Sequence, residues 1–249
     1  MLKTLDNALD LLKHFTTQNP QWGLRELAKE MNINHTIVYR MLSTFEKHGF
    51  LIQNEDTKKY ELGMKFLEYG TIIRQQFRFS DHVYPIMKSL SEQTGESIVL
   101  TWLDGLEGVV VEIAESSQQV KYAVSIGNRT PLYAGASNKV IMAHLPEEVQ
   151  RSIIEKGLKP RTEHTITDVG KLASNLANIQ RDGWAYSVGE YSDAIFGIAV
   201  PLFNQKQEVI ASLTVSGPEH RMPSEKVAEV LQWLQNGRDD IQNILQKML

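Results

Sequence analysis

Apolar residues recur along the first part of the chain at helical intervals. Leu24, Leu27, Ala28 and Met31 are spaced by three, one and three, and Val38, Met41, Leu42 and Phe45 repeat the pattern. Each set forms one stripe on a helix of 3.6 residues per turn. The intervening Asn32-Ile33-Asn34 suffices only for a tight turn; Asn tolerates left-handed backbone, and Asn34 is placed to cap the second helix. Gly49 is expected to end that helix. Phe50-Leu51-Ile52-Gln53 and Lys59-Tyr60-Glu61-Leu62 then read as short strands around the polar turn Asn54 to Lys58. Two short helices followed by a hairpin form a winged helix-turn-helix, an arrangement that places its second helix in a DNA major groove.

The flanking patterns extend this reading. Leu5, Ala8, Leu9, Leu12 and Phe15 predict a first helix whose apolar face packs on the next two. After the wing, Phe66, Leu67, Gly70, Ile73 and Phe77 continue a helical pattern over about residues 64–78. At about 1.5 Å per residue, that helix is long enough to hold two domains apart. The boundary is placed near Phe79-Ser80, dividing the chain into a DNA-binding domain 1–63, a linker helix 64–79 and a domain 80–249. In the last of these, Ser80 is expected to cap a helix running to about Thr94, with Pro85 near its start. Strands are expected over 97–103, 107–114 and 120–126, the first two joined by the hairpin signal Asp104-Gly105. Helices follow over 137–144, 147–155 and 169–181, then strands from near Trp184, Phe196 and Glu208, and a last helix over 224–248. The alternation predicts an α+β domain with helices packed on an antiparallel sheet.

The outer face of the second helix holds His35, Thr36, Tyr39, Arg40 and Ser43. Thr36, Arg40 and Ser43 share one side, and Arg reads guanine while hydroxyls suit phosphates and base edges. Arg25, Asn34, Lys58 and Lys59 complete the candidate contacts to double-stranded DNA. An ordinary solvated helix face remains the alternative at this stage. The first 79 residues carry 11 Lys and Arg against 9 Asp and Glu, and the rest 15 against 21. This weak basic bias falls in the module expected to meet nucleic acid.

Candidate enzyme chemistry is sparse. There is no Cys, which removes thiol catalysis and Cys-ligated zinc, and the seven His show no HExxH spacing. No Walker-type loop or nucleophile elbow occurs. Glu190 and Asp193 read as turn formers. The chain is therefore expected not to be an enzyme and to need no cofactor or metal. No apolar run approaches about 18 residues, and the acidic amphipathic N-terminus is unlike a signal peptide, so a cytoplasmic protein away from membranes is expected.

The order of motifs resembles the IclR family of transcriptional regulators over essentially the full length. His35 to Leu42, Gly49-Phe50 and Tyr60-Glu61-Leu62-Gly63 are similar to that family's winged helix-turn-helix. Gly127, Pro131 to Lys139, Gly183-Trp184, Glu190, Ile198 to Pro201 and Thr214 to Pro218 resemble its effector-domain motifs in order and spacing. The resemblance implies a GAF-like α+β effector-binding domain that takes a small molecule, often an organic acid or aromatic compound. By position the site would include Tyr122, Ala136, Ser137, Ser187, Gly197, Thr214 and Ser216. It also implies a repressor that forms homodimers or tetramers.

The residues themselves leave two readings of these small side chains open. Gly135, Ala136 and Ser137 make room at a helix start whose N–H groups favour a carboxylate, and Thr214 and Ser216 share one strand face. The same residues equally allow close packing of helix on sheet, which would suit a DNA-binding adaptor without a ligand. The chain departs from the family pattern at Ala194 and Asn138, where Gly is common, and at Gly197, where Cys or another small residue is common. Lys58 stands at a wing position that often carries Gly, so it adopts an unfavourable backbone angle or the turn differs. Asn138 and Tyr133 are expected to reshape the pocket mouth.

Overall fold

Asn34 sets the start of the second helix of the pair: its Oδ1 accepts the Thr36 N–H at 2.8 Å. In the computed structural model, which describes residues 2–76 and 79–248, the chain divides into two units, Met1–Arg78 and Phe79–Leu249. The first unit contains α1 (Lys3–Leu12), β1 (Gln21–Trp22), α2 (Leu24–Glu30), α3 (His35–Lys47), β2 (Leu51–Gln53), β3 (Tyr60–Leu62) and α4 (Lys65–Gln76). Asn32 takes a left-handed φ of 51° in the α2–α3 turn. At the far end of α3, Gly49 has φ 76° and the Phe50 N–H reaches back to the Phe45 carbonyl at 2.9 Å, a glycine stop that returns the chain to the wing.

Leu27, Val38, Met41 and Leu42 meet Leu11, Phe15, Leu51 and Tyr60 in one buried cluster. Each fully buried aliphatic side chain contributes roughly 1.5–3 kcal/mol. The expected inward face of α1 needs correction. Leu11 and Phe15 are buried and Ala8 and Leu12 pack partly, but Leu5 and Leu9 are each 55% exposed. The stripe is wider than the core it meets, so only its C-terminal part is covered. The wing also has three strands rather than two, in the order β1-β3-β2, because Gln21 and Trp22 pair with Glu61 and Tyr60. Phe77 and the Ser80 cap lie outside the described residues or side chains.

The second unit contains α5 (Phe79–Thr94), β4 (Ser97–Asp104), β5 (Glu107–Ala114), β6 (Arg129–Pro131), α6 (Ala136–Met142), α7 (Glu147–Glu155), α8 (Val169–Asp182), β7 (Ala185–Val188), β8 (Ile195–Phe203), β9 (Val209–Pro218) and α9 (Ser224–Met248). Its sheet is antiparallel throughout, in the order β6-β5-β4-β9-β8-β7. The architecture is α+β. Helix α6 packs on β8 and β9 and against α8, while α5 and α9 pack on each other and on the sheet. Gly237 makes the α5–α9 approach possible, since a Cβ there would stand 2.5 Å from Leu90 Cδ1.

One expected strand is absent. Residues 120–126 form no ladder, and β6 begins only at Arg129, where it pairs with β5. The period-two apolar pattern there has another cause. Tyr122 and Val124 line a cavity, whereas Val120 and Ile126 are exposed. Pro85 lies inside α5, in its second turn.

Two of the departures from the family pattern have backbone consequences. Lys58 and Ala194 both hold left-handed φ values, 56° and 55°. A left-handed non-glycine residue costs roughly 1–2 kcal/mol. Ala194→Gly should therefore raise stability by about 1 kcal/mol in urea denaturation; an unchanged or lower midpoint would show that Ala194 bears no such strain.

Candidate functional site

The first candidate surface is the outer face of α3. His35, Thr36, Tyr39 and Arg40 are exposed there and Ser43 is half-buried, while Val38, Met41 and Leu42 face the core. Tyr39 is 52% exposed, an amphipathic ring that buried packing does not explain. Arg25 is exposed on α2. Asn34 spends its side-chain oxygen on the helix cap, so it presents only its NH2 group outward. In the wing, Asn54 Oδ1 accepts the Asp56 and Thr57 N–H groups at 3.0 and 2.9 Å, fixing the turn that carries exposed Lys58. Lys59 differs: its ammonium stands 3.4 Å from Glu26 Oε2. Glu26 also accepts the Gly23 N–H at the start of α2. That backbone bond first, and then Lys59, hold the Glu26 carboxyl below its ordinary value.

The second candidate is a cavity in the Phe79–Leu249 unit. Tyr122, Ala136, Ser137, Ser187, Gly197, Thr214 and Ser216 all line it. The sheet register brings them together. Ser187 pairs with Gly197 and Gly197 with Ser216, so two hydroxyl-bearing residues flank a position without a side chain. One strand step away Thr214 pairs with Ala199 on the same face. A Cβ on Gly197 would lie 3.2 Å from Ala136 Cβ and 3.6 Å from the hydroxyls of Ser187 and Ser216. The cavity holds about 50 Å³, a few times the roughly 10–15 Å³ that a single water requires.

The segment over this cavity is long and irregular, running from Glu115 to Asn128. It is tied down at points. Ser116 donates to the Gly95 carbonyl at 2.6 Å, and Arg221 donates to the Val120 carbonyl at 2.9 Å. Arg221 also grips Glu96 through two bonds of 2.6 and 2.5 Å. The segment turns the Tyr122 ring inward, where burial and then Tyr191 push its phenol up to about 12.

The helix start is arranged differently from expectation. The Gly135 N–H donates to Glu190 Oε2 at 3.2 Å, and the Ala136 N–H donates to Ser187 Oγ at 2.8 Å. Side chains of the protein already occupy those donors, and α6 is only seven residues long. Tyr133 does not reach the cavity either. Its hydroxyl donates to the Lys159 carbonyl and accepts the Lys159 N–H. Asn138 does reach it, donating to Thr130 Oγ1 at 2.8 Å and to the Ala134 carbonyl at 3.1 Å.

Glu190 is the residue whose role sequence reasoning missed. It is a buried ion-pair partner, not a turn former: Lys139 Nζ lies 2.5 Å from its Oε1, and Lys139 is fully buried. Lys139 also donates to Asn175 Oδ1 at 2.9 Å. Burial pulls the Lys139 ammonium below the ordinary lysine value, and attraction to Glu190 opposes that shift. The available signal was Lys139 standing directly before the apolar run Val140 to Ala143 in a short helix that is buried nearly all round. Thr214 Oγ1, on a residue that lines the cavity, and Ser212 Oγ are buried hydroxyls with no hydrogen-bond partner. Among the described residues no cluster of His, Asp and Glu could hold a metal ion, and no helix is long and apolar enough to cross a membrane.

Two family models and several known proteins match the chain. The IclR helix-turn-helix domain matches residues 4–55, and the bacterial transcriptional regulator IclR C-terminal domain matches residues 75–243. The HTH-type transcriptional regulator KipR of Bacillus subtilis strain 168 is 32% identical over 226 residues, 90% of each chain. The transcriptional repressor IclR of Escherichia coli strain K12 is 25% identical over 231 residues, 92% of this chain and 84% of that one. A crystal structure of an IclR homologue from Microbacterium hydrocarbonoxydans, complexed with 4-hydroxybenzoate, shares the fold. Its TM-score is 0.83 at 22% identity, covering 97% of this chain and 98% of that one.

Breaking the buried pair tests its structural weight. Lys139→Met leaves Glu190 as an uncompensated buried carboxylate and should cost about 3–5 kcal/mol in urea denaturation. The double variant Lys139→Met/Glu190→Gln should recover much of that loss. A single-variant cost below about 1 kcal/mol would show that the pair behaves as a surface salt bridge.

Proposed function

The chain belongs to the IclR family of bacterial transcriptional regulators, and from that premise we propose that it is a repressor whose grip on its operator is set by a small molecule bound in the Thr214 cavity. Membership makes it a DNA-binding regulator of transcription and not an enzyme. The finer reading has three parts: a winged helix-turn-helix over 1–63, a linker helix over 64–79 and a GAF-like effector domain over 80–249. Its setting would be the cytoplasm, where the DNA is.

In this reading α3 enters the major groove, with Thr36, Tyr39, Arg40 and Ser43 directed at base edges and phosphates. His35 and Arg25 flank them, and Lys58 meets a phosphate from the wing. Two copies would set their α3 helices on the half-sites of a pseudo-palindrome. A homodimer, or a tetramer built from dimers, is supported by the apolar side chains that α1 and α4 leave in solvent. Leu67 is 61% exposed, Ile73 51%, and Leu5 and Leu9 follow the same pattern. The E. coli relative named as a repressor supports that sign of regulation.

The observation that carries the ligand half is the buried, unpartnered hydroxyl of Thr214, a residue that lines the cavity. A buried polar group without a partner is costly, and a ligand would relieve that cost. Such a ligand alters DNA affinity only insofar as it prefers one of two conformations. A second reading, a DNA-binding adaptor without a ligand, draws on the small cavity volume.

Selection from random duplex DNA should return a pseudo-palindromic site. On that site Arg40→Ala should cost about 1–3 kcal/mol and relax preference at one base position; uniform weakening across sequences would make Arg40 a phosphate contact. Lys58→Ala should lower the slope of log K against log salt by about 1. Lys59→Ala should change that slope less, because Glu26 already neutralises part of its charge. Recovery of a site without two-fold symmetry would rule out the dimeric operator.

A further inference from the structure

Helix α3 carries two parallel rows of side chains beside its buried stripe. Thr36, Tyr39 and Ser43 stand three and four residues apart and bring three hydroxyl groups to one row. Ile37, Arg40 and Thr44 repeat that spacing in the other and border a surface groove with Leu5 and Leu9 of α1. The Thr44 hydroxyl donates to the Arg40 carbonyl at 2.7 Å. Arg40 is therefore the principal donor of this row, and the Ile37 side chain neither donates nor accepts. Ile37 lies in the first turn of α3, its N–H bonded to the Asn34 carbonyl at 2.9 Å, yet it is 45% exposed. The core beneath α3 is supplied by Val38, Met41 and Leu42, and Ile37 lies outside that cluster. A β-branched side chain on a helix is nearly locked at χ1. Ile37 is thus a stiff apolar knob set directly beside Arg40.

At base level the DNA major groove displays one apolar group, the 5-methyl of thymine. The N-terminal residues of a recognition helix are the ones that reach base edges. Ile37 and Arg40 are about 4.5 Å apart along the helix axis, and successive base pairs are about 3.4 Å apart. We propose that Ile37 determines operator specificity by packing on the methyl group of a thymine one base pair from the guanine that Arg40 reads. Cytosine at that position lacks the methyl, and Ile37 would cover its N4 amino group without offering a partner. This inference rests on the reading of α3 as the helix that enters the major groove.

The full-length protein is titrated against the duplex recovered by selection, with each thymine of both half-sites replaced in turn by deoxyuridine. That exchange removes one methyl group and keeps every hydrogen-bonding group of the base. At one thymine position the wild type should lose about 4-fold in affinity per half-site. Ile37→Ala should bind the thymine duplex more weakly by a similar factor and lose nothing further on the exchange. Ile37→Val should give an intermediate ratio, and it serves as the variant of record should Ile37→Ala fold poorly. No thymine at which deoxyuridine weakens binding, or an equal loss in wild type and Ile37 variants, would overturn the assignment. If Arg40→Ala still lowers affinity in that case, α3 remains the reading helix. If neither the Ile37 nor the Arg40 variants change affinity, α3 is not that helix and both readings fall. A shift in self-association by sedimentation with an unchanged thymine-to-deoxyuridine ratio would overturn the proposal and assign Ile37 to a contact between copies.

Discussion

The Lys139–Glu190 ion pair is the constraint around which the second unit is arranged. Removing two charges from water is costly, and the cost is offset only when geometry is close and the remaining donors and acceptors are filled. Here they are filled from several elements. Glu190 takes Lys139 on one oxygen and the Gly135 N–H on the other, and Lys139 adds Asn175 of α8. The Glu190 carbonyl accepts from Thr165 Oγ1 at 2.7 Å, and the Gly189 carbonyl accepts from Thr162 Oγ1 at 2.6 Å. The β7–β8 connection is thereby fastened to α6, to α8 and to the segment before α8. That arrangement holds Ser187 against the start of α6 and places Tyr191 and Ile195 at the cavity wall.

The two candidate recognition surfaces are built on opposite principles. The α3 face is polar and exposed, fixed by a core beneath it and by caps at both ends, and its residues make few bonds within the chain. Such a face suits a large, charged and hydrated partner, because little has to be given up when contact forms. The cavity is partly open, and its polar groups are already partly satisfied by the protein itself. As the proposed effector site, its selectivity would depend on the few groups left over, among them the Thr214 hydroxyl.

Much of this was legible from spacing alone. The stripes in α2 and α3, the Asn34 cap, the Gly49 stop and the Asp104-Gly105 turn are local physics, and local physics is written in neighbouring residues. The reading of Leu5 and Leu9 failed because an apolar stripe does not state how much of it finds a partner. The strand expected over 120–126 failed because alternation reports side-chain direction, not ladder pairing; Tyr122 and Val124 alternate inward over a cavity. Beta strand β1 was missed because two residues carry no period. Glu190 was misread because its partner is 51 residues away, a distance at which only tertiary packing can join two charges. The seven cavity residues were brought together through likeness to a family; their spacing alone left pocket and packing equally open.

The passage from wing to linker helix is unusually tight. Gly63 lies between β3 and α4, and a Cβ there would stand 2.2 Å from the Gly49 carbonyl oxygen at the end of α3. Its N–H donates to the Phe50 carbonyl at 2.7 Å. Phe50 then packs its ring at 5.3 Å from Phe66 and 5.8 Å from Tyr69, both on α4. The end of α3, the base of the wing and the start of α4 thus share one closely packed joint. A twist applied along α4 would act on α3 and the wing through these contacts together.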